Sequence, residues 1–257
     1  KSHLKAALEN VSEELSELGA SLREMEKELR EKEEALEDMQ NDRKPYPKDL
    51  KAARQQLQSA LSDRYGRTIQ VHILGDLFDI TDEKWKNAVE GRLGRIKRGM
   101  ITEPAYAIDA AKIFRKMKRF EEVDLINSAA VQRESPKAEP DSLYEAVRTD
   151  TGYVDWCLKR YLGRIRKCET VEELDSVRDG VTPDCYSYSN SIFRHLRERD
   201  YTKGACIGTK ISRRRLKELE EEIDRMKEQL IGERQTEAAL KEAQKFETLN
   251  EETGQII

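Results

Sequence analysis

The stretch Gly204-Ala205-Cys206-Ile207-Gly208-Thr209-Lys210 is the nearest this chain comes to a catalytic signature. A phosphate cradle needs G-x-x-x-x-G-K-[ST], so that backbone amides of a glycine-rich loop surround the anion. Here the glycines stand too close together, and the Thr and Lys are reversed. The segment reads instead as the return of the chain into a helix. His3, His72 and His195 have no metal-ligand spacing, and His72 lies in an apolar run, as a packed residue would. Cys157, Cys168, Cys185 and Cys206 stand singly, without a C-x-x-C pair, and read as reduced small hydrophobes. Acidic runs such as Glu220-Glu221-Glu222 suit a solvated helix face. These 257 residues therefore imply no catalysis, no metal and no cofactor.

The basic residues leave a question open. The net charge of −4 divides unevenly: Arg64 to Arg215 holds 30 Lys and Arg against 24 Asp and Glu, while the flanks are acidic. Arg95, Lys97, Arg98, Arg164, Arg166 and Lys167 recur in two similar segments, and Arg213, Arg214 and Arg215 stand at the end of the basic stretch. Arg115, Lys116, Lys118 and Arg119 end a helical pattern. Together they are candidates for contact with DNA phosphates, weighed against ordinary surface charge in a chain that is 38% charged. Trp85 and Trp156 offer base-stacking surfaces, but core packing accounts for them as well.

The elements that must position these residues follow from periodicity. Leu8, Leu15, Leu22, Leu29 and Leu36 are each seven apart, with Val11, Leu18, Met25, Lys32 and Met39 between them. That is a coiled-coil seam on a helix of ~48 Å. Pro45 and Pro47 stop it, and Leu50, Leu57 and Leu61 mark a shorter helix beyond. Leu216, Leu219, Ile223, Met226 and Leu230 form a second seam, weaker at Glu233 and Glu237. The two seams are expected to pair antiparallel within one chain; two chains pairing in parallel is the alternative. The start at Lys1, without an initiator Met, and the polar end read as a piece cut from a longer protein. No apolar run approaches a membrane span, and no signal peptide is visible.

The middle has mixed texture. Strands are expected at Ile69–Leu74, Arg95–Ile101 and Val123–Asn127, with a helix carrying Trp85, Val89 and Leu93 and ended by Gly94. Another helix follows Pro104, and Ser128 to Pro140 reads as a polar loop. Leu93-Gly94-Arg95-Ile96-Lys97-Arg98 is echoed 69 residues on by Leu162-Gly163-Arg164-Ile165-Arg166-Lys167. The echo predicts two related α/β halves, with Ile96 and Ile165 buried in matching strands. The expected fold is thus α+β: residues 1–44 one arm, 45–67 a helical linker, 68–211 the inserted domain, 212–247 the second arm and 248–257 a polar tail.

A globular domain of two similar halves between a helical arm and its return resembles the hinge of SMC-type ATPases. Within that superfamily the chain is similar to the SMC subunit of Wadjet-type plasmid-defence complexes (the JetC family), relatives of MukB and MksB. The likeness is carried by Asp79 to Leu93, Leu125-Ile126-Asn127, Tyr161 to Ile165, Val181 to Cys185 and Tyr188 to Gly208. The glycine-rich stretch of conventional hinges is missing. The resemblance implies a cytoplasmic parent, associated with nucleoid or plasmid DNA, that is an ATPase through distant heads and binds a kleisin-type subunit and DNA. It also implies a homodimer in which one half of each hinge meets the other half of its partner. Candidate contacts are Val123, Leu125, Ile126 and Asn127, and the run containing Tyr186, Tyr188, Ile192 and Phe193, an apolar-aromatic strand edge that an intramolecular hairpin would explain equally. Two rival roles remain: a monomeric coiled-coil tether, and a DNA-binding domain positioned by its arms.

Overall fold

The structure, a computed structural model, describes residues 2–40, 44, 46–210 and 213–253, with side chains for 10–40, 44, 46–210 and 216–245. It divides into two units: the arms, and the domain Tyr46–Lys210. The arms are α1 (Ser2–Gln40) and α9 (Arg213–Thr253). Their heptad leucines do what the spacing requires: Leu22, Leu29 and Met39 are buried against Leu219, Ile223 and Leu230. Glu26 pairs with Arg234 at 2.6 Å, and Glu33 with Lys227 at 2.8 Å, which fixes the antiparallel direction. Such exposed pairs stabilise by at most about 1 kcal/mol each, so the apolar seam carries the arms. Lys32 interrupts the seam and reaches Glu222 at 2.7 Å. The helix α9 runs on to Thr253, six residues into the stretch expected as a polar tail. Leu8 lies outside the described side chains and Pro45 outside the described residues.

Within the domain, α2 (Lys48–Tyr65) turns Leu50, Ala53, Leu57 and Leu61 inward. Its buried face covers β1 (His72–Ile73), which pairs antiparallel with β3 (Met100–Ile101). The strand β2 (Asp79–Ile80) pairs with β4 (Val147–Arg148). Between them a 3₁₀ turn, Glu83–Trp85, capped by Asp82 accepting the Lys84 N–H, leads into α3 (Lys86–Leu93), which ends at Gly94, whose φ of +50° is costly for a residue with Cβ. Next come α4 (Ala107–Phe114), α5 (Ser128–Glu134) and α6 (Gly152–Leu162). The last sheet has the order β5 (Arg166–Lys167), β6 (Asp179–Val181), β7 (Tyr186–Ser189) and β8 (Ile192–His195). The short helix α7 (Val171–Asp175) precedes β6, and α8 (Glu198–Tyr201) follows the hairpin.

A buried ion pair organises this unit. Glu90 of α3 and Lys97 lie 2.7 Å apart with both side chains almost fully buried. Each also binds backbone. The Glu90 carboxylate accepts the N–H groups of Cys206 and Ile207, and the Lys97 ammonium donates to the carbonyls of Glu90 and Asp200. Gly208 then donates to the Gly75 carbonyl at 2.9 Å, and Thr209 donates to Asp79 through both N–H and hydroxyl. The domain's first residue reaches the same place, since the Tyr46 hydroxyl donates to Asp76 at 2.6 Å and meets Cys206. Entry and exit of the domain are therefore stitched together. The glycine-bearing segment 204–210 closes a fold: the amides of Cys206, Ile207 and Thr209 are occupied by protein carboxylates, and those of Gly204, Ala205 and Gly208 by backbone carbonyls.

Several expectations are corrected. Ile96–Arg98 is a 3₁₀ turn and not a strand, because Lys97 must point inward to Glu90. The echoed segment is strand at Arg166–Lys167, and Ile165 is buried while Ile96 is only partly so. The two segments match in their preceding helices, in buried Leu93 and Leu162, and in exposed Arg95 and Arg164. They diverge immediately afterwards, so the expected equivalence of strands fails. The stretch read as a polar loop holds α5, capped by the Asn127 side chain, which accepts the Ala130 N–H.

Two outcomes follow from this architecture. Lys97→Met should strand the Glu90 charge in the interior and lower stability by roughly 3 kcal/mol, read from urea denaturation. Lys32→Cys with Glu222→Cys should oxidise to a crosslink within one chain, seen as a monomeric band of altered mobility without reductant.

Candidate dimerisation interface

The hairpin β7–β8 turns at Asn190 and Ser191, both with positive φ (51° and 60°). A two-residue hairpin needs that left-handed pair to match the twist of its strands. The turn also fixes which backbone groups bond inward. Ser189 faces Ile192 next to the turn, so Ser189–Ile192 and Ser187–Arg194 are the bonded pairs. The Leu196 N–H bonding to the Cys185 carbonyl at 2.9 Å keeps the same alternation. Phe193 and His195 consequently turn their N–H and C=O groups away from β7, to the open side of the sheet. All four residues of β8 are exposed.

Side chains alternate with the backbone. Tyr186, Tyr188, Phe193 and His195 share one face, where Tyr188 and Phe193 rings lie 4.5 Å apart and Tyr186 and His195 rings 4.8 Å. Ile192, 51% exposed, projects from the opposite face. The four residues read as one apolar run thus divide three to one between two faces, as the period of a strand requires. On the far face Ser187 is buried, and Arg92 of α3 binds it at 2.8 Å together with Asp179 at 2.7 Å. That bridge holds the hairpin to the core. The other end of the sheet is closed: Lys167 donates to the Asp141 carbonyl and Leu143 to the Ile165 carbonyl.

The candidate segment 123–127 is shaped differently from expectation. It forms a single parallel bridge, Met100 with Leu125, rather than a strand. Met100 donates to the Asp124 carbonyl and accepts from the Ile126 N–H, both at 2.8 Å. Parallel geometry then points the N–H and C=O of Leu125 away from β3. Val123 and Ile126 are buried inside the domain, so they stabilise their own chain and offer no outward surface. Asn127 is exposed and occupied in capping α5. The opposite side of this small sheet is covered by α2, whose Gln58 and Ser62 side chains accept the N–H groups of Val71 and Ile69. Among the described residues, then, two sheets each keep one open edge: at Leu125 and at Phe193–His195.

The basic candidates do not converge. Lys97 is buried with Glu90 and unavailable to any phosphate. Arg95 is held by Asp124 at 2.8 Å, Lys167 by Glu145 at 2.8 Å, and Arg166 by the Pro140 carbonyl and Asp141. Arg98 and Arg164 have no ion pair among the described residues; Arg213, Arg214 and Arg215 lie outside the described side chains. Unneutralised charge gathers elsewhere, just after α4, where the exposed side chains of Arg115, Lys116 and Lys118 have no hydrogen-bond or ionic partner among the described residues. Arg119 beside them lies over the Phe120 ring.

Cys157, Cys168 and Cys185 are buried, Cys206 is half-buried, and His195 is exposed on β8. Burial pushes the Cys157 thiol up to about 12 and Cys185 to about 11, and it lowers His72. Trp85 is buried in the core, and Trp156 packs against it. Among the described residues no cluster could hold a metal ion, and no helix is long and apolar enough to cross a membrane.

No family model and no curated protein matches the chain. Among solved structures, it is similar to the Pyrococcus furiosus Smc hinge domain with an extended coiled coil: 19% identity, TM-score 0.41, covering 99% of this chain and 100% of that one. It is similar to an asymmetric dimer of the Geobacillus stearothermophilus SMC hinge domain, with 14% identity, TM-score 0.49 and coverage of 95% and 97%. The S. pombe Smc5/6 hinge domain gives 15% identity, TM-score 0.45 and coverage of 80% and 89%.

The hairpin turn yields one measurable consequence. Ser191→Gly removes a Cβ from a left-handed position, and a gain of about 0.5–1 kcal/mol in thermal or urea unfolding is expected, with spectra unchanged.

Proposed function

We propose that this chain is the dimerising hinge of an SMC-type ATPase, joining two copies through the domain Tyr46–Lys210. The observation that carries the reading is the pair of open sheet edges. Exposed backbone donors and acceptors are a template for pairing with another chain, and proteins ordinarily cover them. Here the opposite edges are covered and these two are not. Pairing of the Leu125 edge of one copy with the Phe193–His195 edge of the other, made twice, would satisfy both at once and bury the tyrosine face. A stable contact of this kind buries more than about 1,000 Å² in total.

The sequence resemblance extends the proposal to its finer form: a Wadjet-type or MukB-like SMC subunit, working with a kleisin-type partner in a complex that handles DNA loops. The reading assigns no catalysis to these residues, and ATP hydrolysis would belong to heads elsewhere in the parent.

Proline distinguishes the edge from a passive surface. At a position whose N–H faces outward it leaves the native hairpin intact but cannot pair with an incoming strand. His195→Pro and Leu125→Pro should each convert a dimer to a monomer by light scattering at tens of micromolar, with circular dichroism unchanged. A wild-type chain that is already monomeric there would favour the tether.

One observation favours an additional reading, direct contact with DNA: the unpartnered cations Arg115, Lys116 and Lys118 beside Arg119. Replacing all four with Gln should flatten the salt dependence of duplex binding by a slope of up to about 4 in log–log form. Equal slopes would leave DNA to other parts of the parent.

A further inference from the structure

A cleft of about 190 Å³ opens between the last turn of α6 and the loop after α5, lined by Glu134, Pro136, Lys137, Lys159, Arg160 and Arg164. Its walls are tied together. The Glu139 N–H donates to the Gly163 carbonyl at 2.7 Å, and a Cβ at Gly163 would come within 3.0 Å of the Ala138 Cα and collide with the Lys159 carbonyl. The chain approaches so closely there that only glycine fits, which sets the Pro136–Lys137 loop firmly against the helix.

Two of its cations are held in place. Lys159 donates to Asp155 at 2.6 Å and lies over the Tyr144 ring, and the Asp155 hydrogen bond raises its pKa, keeping the ammonium charged. Arg160 pairs with Glu134 at 2.8 Å. The other two, Lys137 and Arg164, are exposed and have no side-chain partner among the described residues. Four cations against Glu134 and the adjoining Asp155 leave two positive charges without counter-charge. Glu134 is already engaged by Arg160, so the free cations face no competing carboxylate in the lining.

We propose that this cleft binds a phosphate-class dianion, with a diphosphate group as its fitting form. Arg164 supplies the planar fork that matches two phosphate oxygens, Lys137 a mobile point charge, and Lys159 a fixed one. The carbonyl end of α6 opposes an anion, so affinity rests on these side chains and falls with salt. Diphosphate on a small molecule and successive phosphates of a single strand share this chemistry. The site is independent of the hinge reading, because neither open edge contributes to it.

Titration calorimetry with inorganic pyrophosphate in 20 mM salt tests it on the whole chain. The expected result is saturable binding that weakens at least tenfold in Arg164→Glu and in Lys137→Glu, and stays unchanged in Lys118→Glu on the separate basic turn. ADP and a thymidine oligonucleotide as competitors identify the source: whichever displaces pyrophosphate from the wild type, and not from Arg164→Glu, is the fitting carrier. Absence of binding at millimolar pyrophosphate would overturn the site, as would equal loss in Lys118→Glu. Both glutamate replacements lie on exposed side chains, and unchanged circular dichroism confirms folding.

Discussion

The Glu90–Lys97 pair is the interaction on which the domain depends. Two opposite charges buried together are costly to desolvate, and such a pair persists only when its remaining hydrogen-bonding capacity is filled. Here the filling is done by backbone from distant parts of the chain: the amides of Cys206 and Ile207 and the carbonyl of Asp200. The pair therefore acts as a specification. It admits one path for the returning chain, next to Gly75 and Asp79, where Tyr46 also enters. An apolar contact of the same size would tolerate the return segment shifted by a residue; a carboxylate holding two successive amides does not.

How much of this could be read beforehand depends on whether the deciding force was local. The arms were legible because a heptad seam is a repeated local signal, and the paired helices with buried Leu22, Leu29, Leu219 and Ile223 agree with it. The helix from Lys86 to Leu93 was legible for the same reason, through its stop at Gly94, although Asp82 caps the 3₁₀ turn that leads into it and not the helix itself. The two similar hexapeptides misled because their likeness is one of residue types. Lys97 serves Glu90 in the interior, while Lys167 serves Glu145 at the surface. Nothing local distinguishes a lysine that will be buried from one that will not. The helix Ser128–Glu134 was missed because seven residues give barely two turns of periodicity, although Asn127 ahead of it is a capping residue by type.

The hairpin was legible as an extended apolar-aromatic run and not in its geometry. Of the run from Tyr186 to Phe193, only Ile192 and Phe193 lie on the edge strand β8; Tyr186 and Tyr188 are half-buried on β7, paired on both sides within an intramolecular hairpin. The turn at Asn190–Ser191 decides which residues face together, and that sets Ile192 apart from Tyr188 and Phe193. Charge behaves similarly. Composition finds a basic middle, but ion pairs with Asp124, Glu90, Asp141 and Glu145 consume Arg95, Lys97, Arg166 and Lys167 of the repeated segments. The net positive character survives where the acids happen not to be, after α4 and at the mouth of the α6 cleft.

That the two open edges are unlike each other has a consequence for assembly. Like edges can meet only head to head, which ends association at two. Unlike edges make a head-to-tail contact, and such contacts close into a ring or continue as a filament according to the rotation between them. For a pair of copies the closing rotation is a half-turn, so in the proposed pairing the placement of Leu125 relative to β8 within each domain would set whether association stops at two or goes on adding. Under the proposed pairing, the stitching of the domain around Glu90 and Lys97 would govern the count. A change that loosened the relation between the two sheets, without touching either edge, would be expected to turn a closed pair into an open chain.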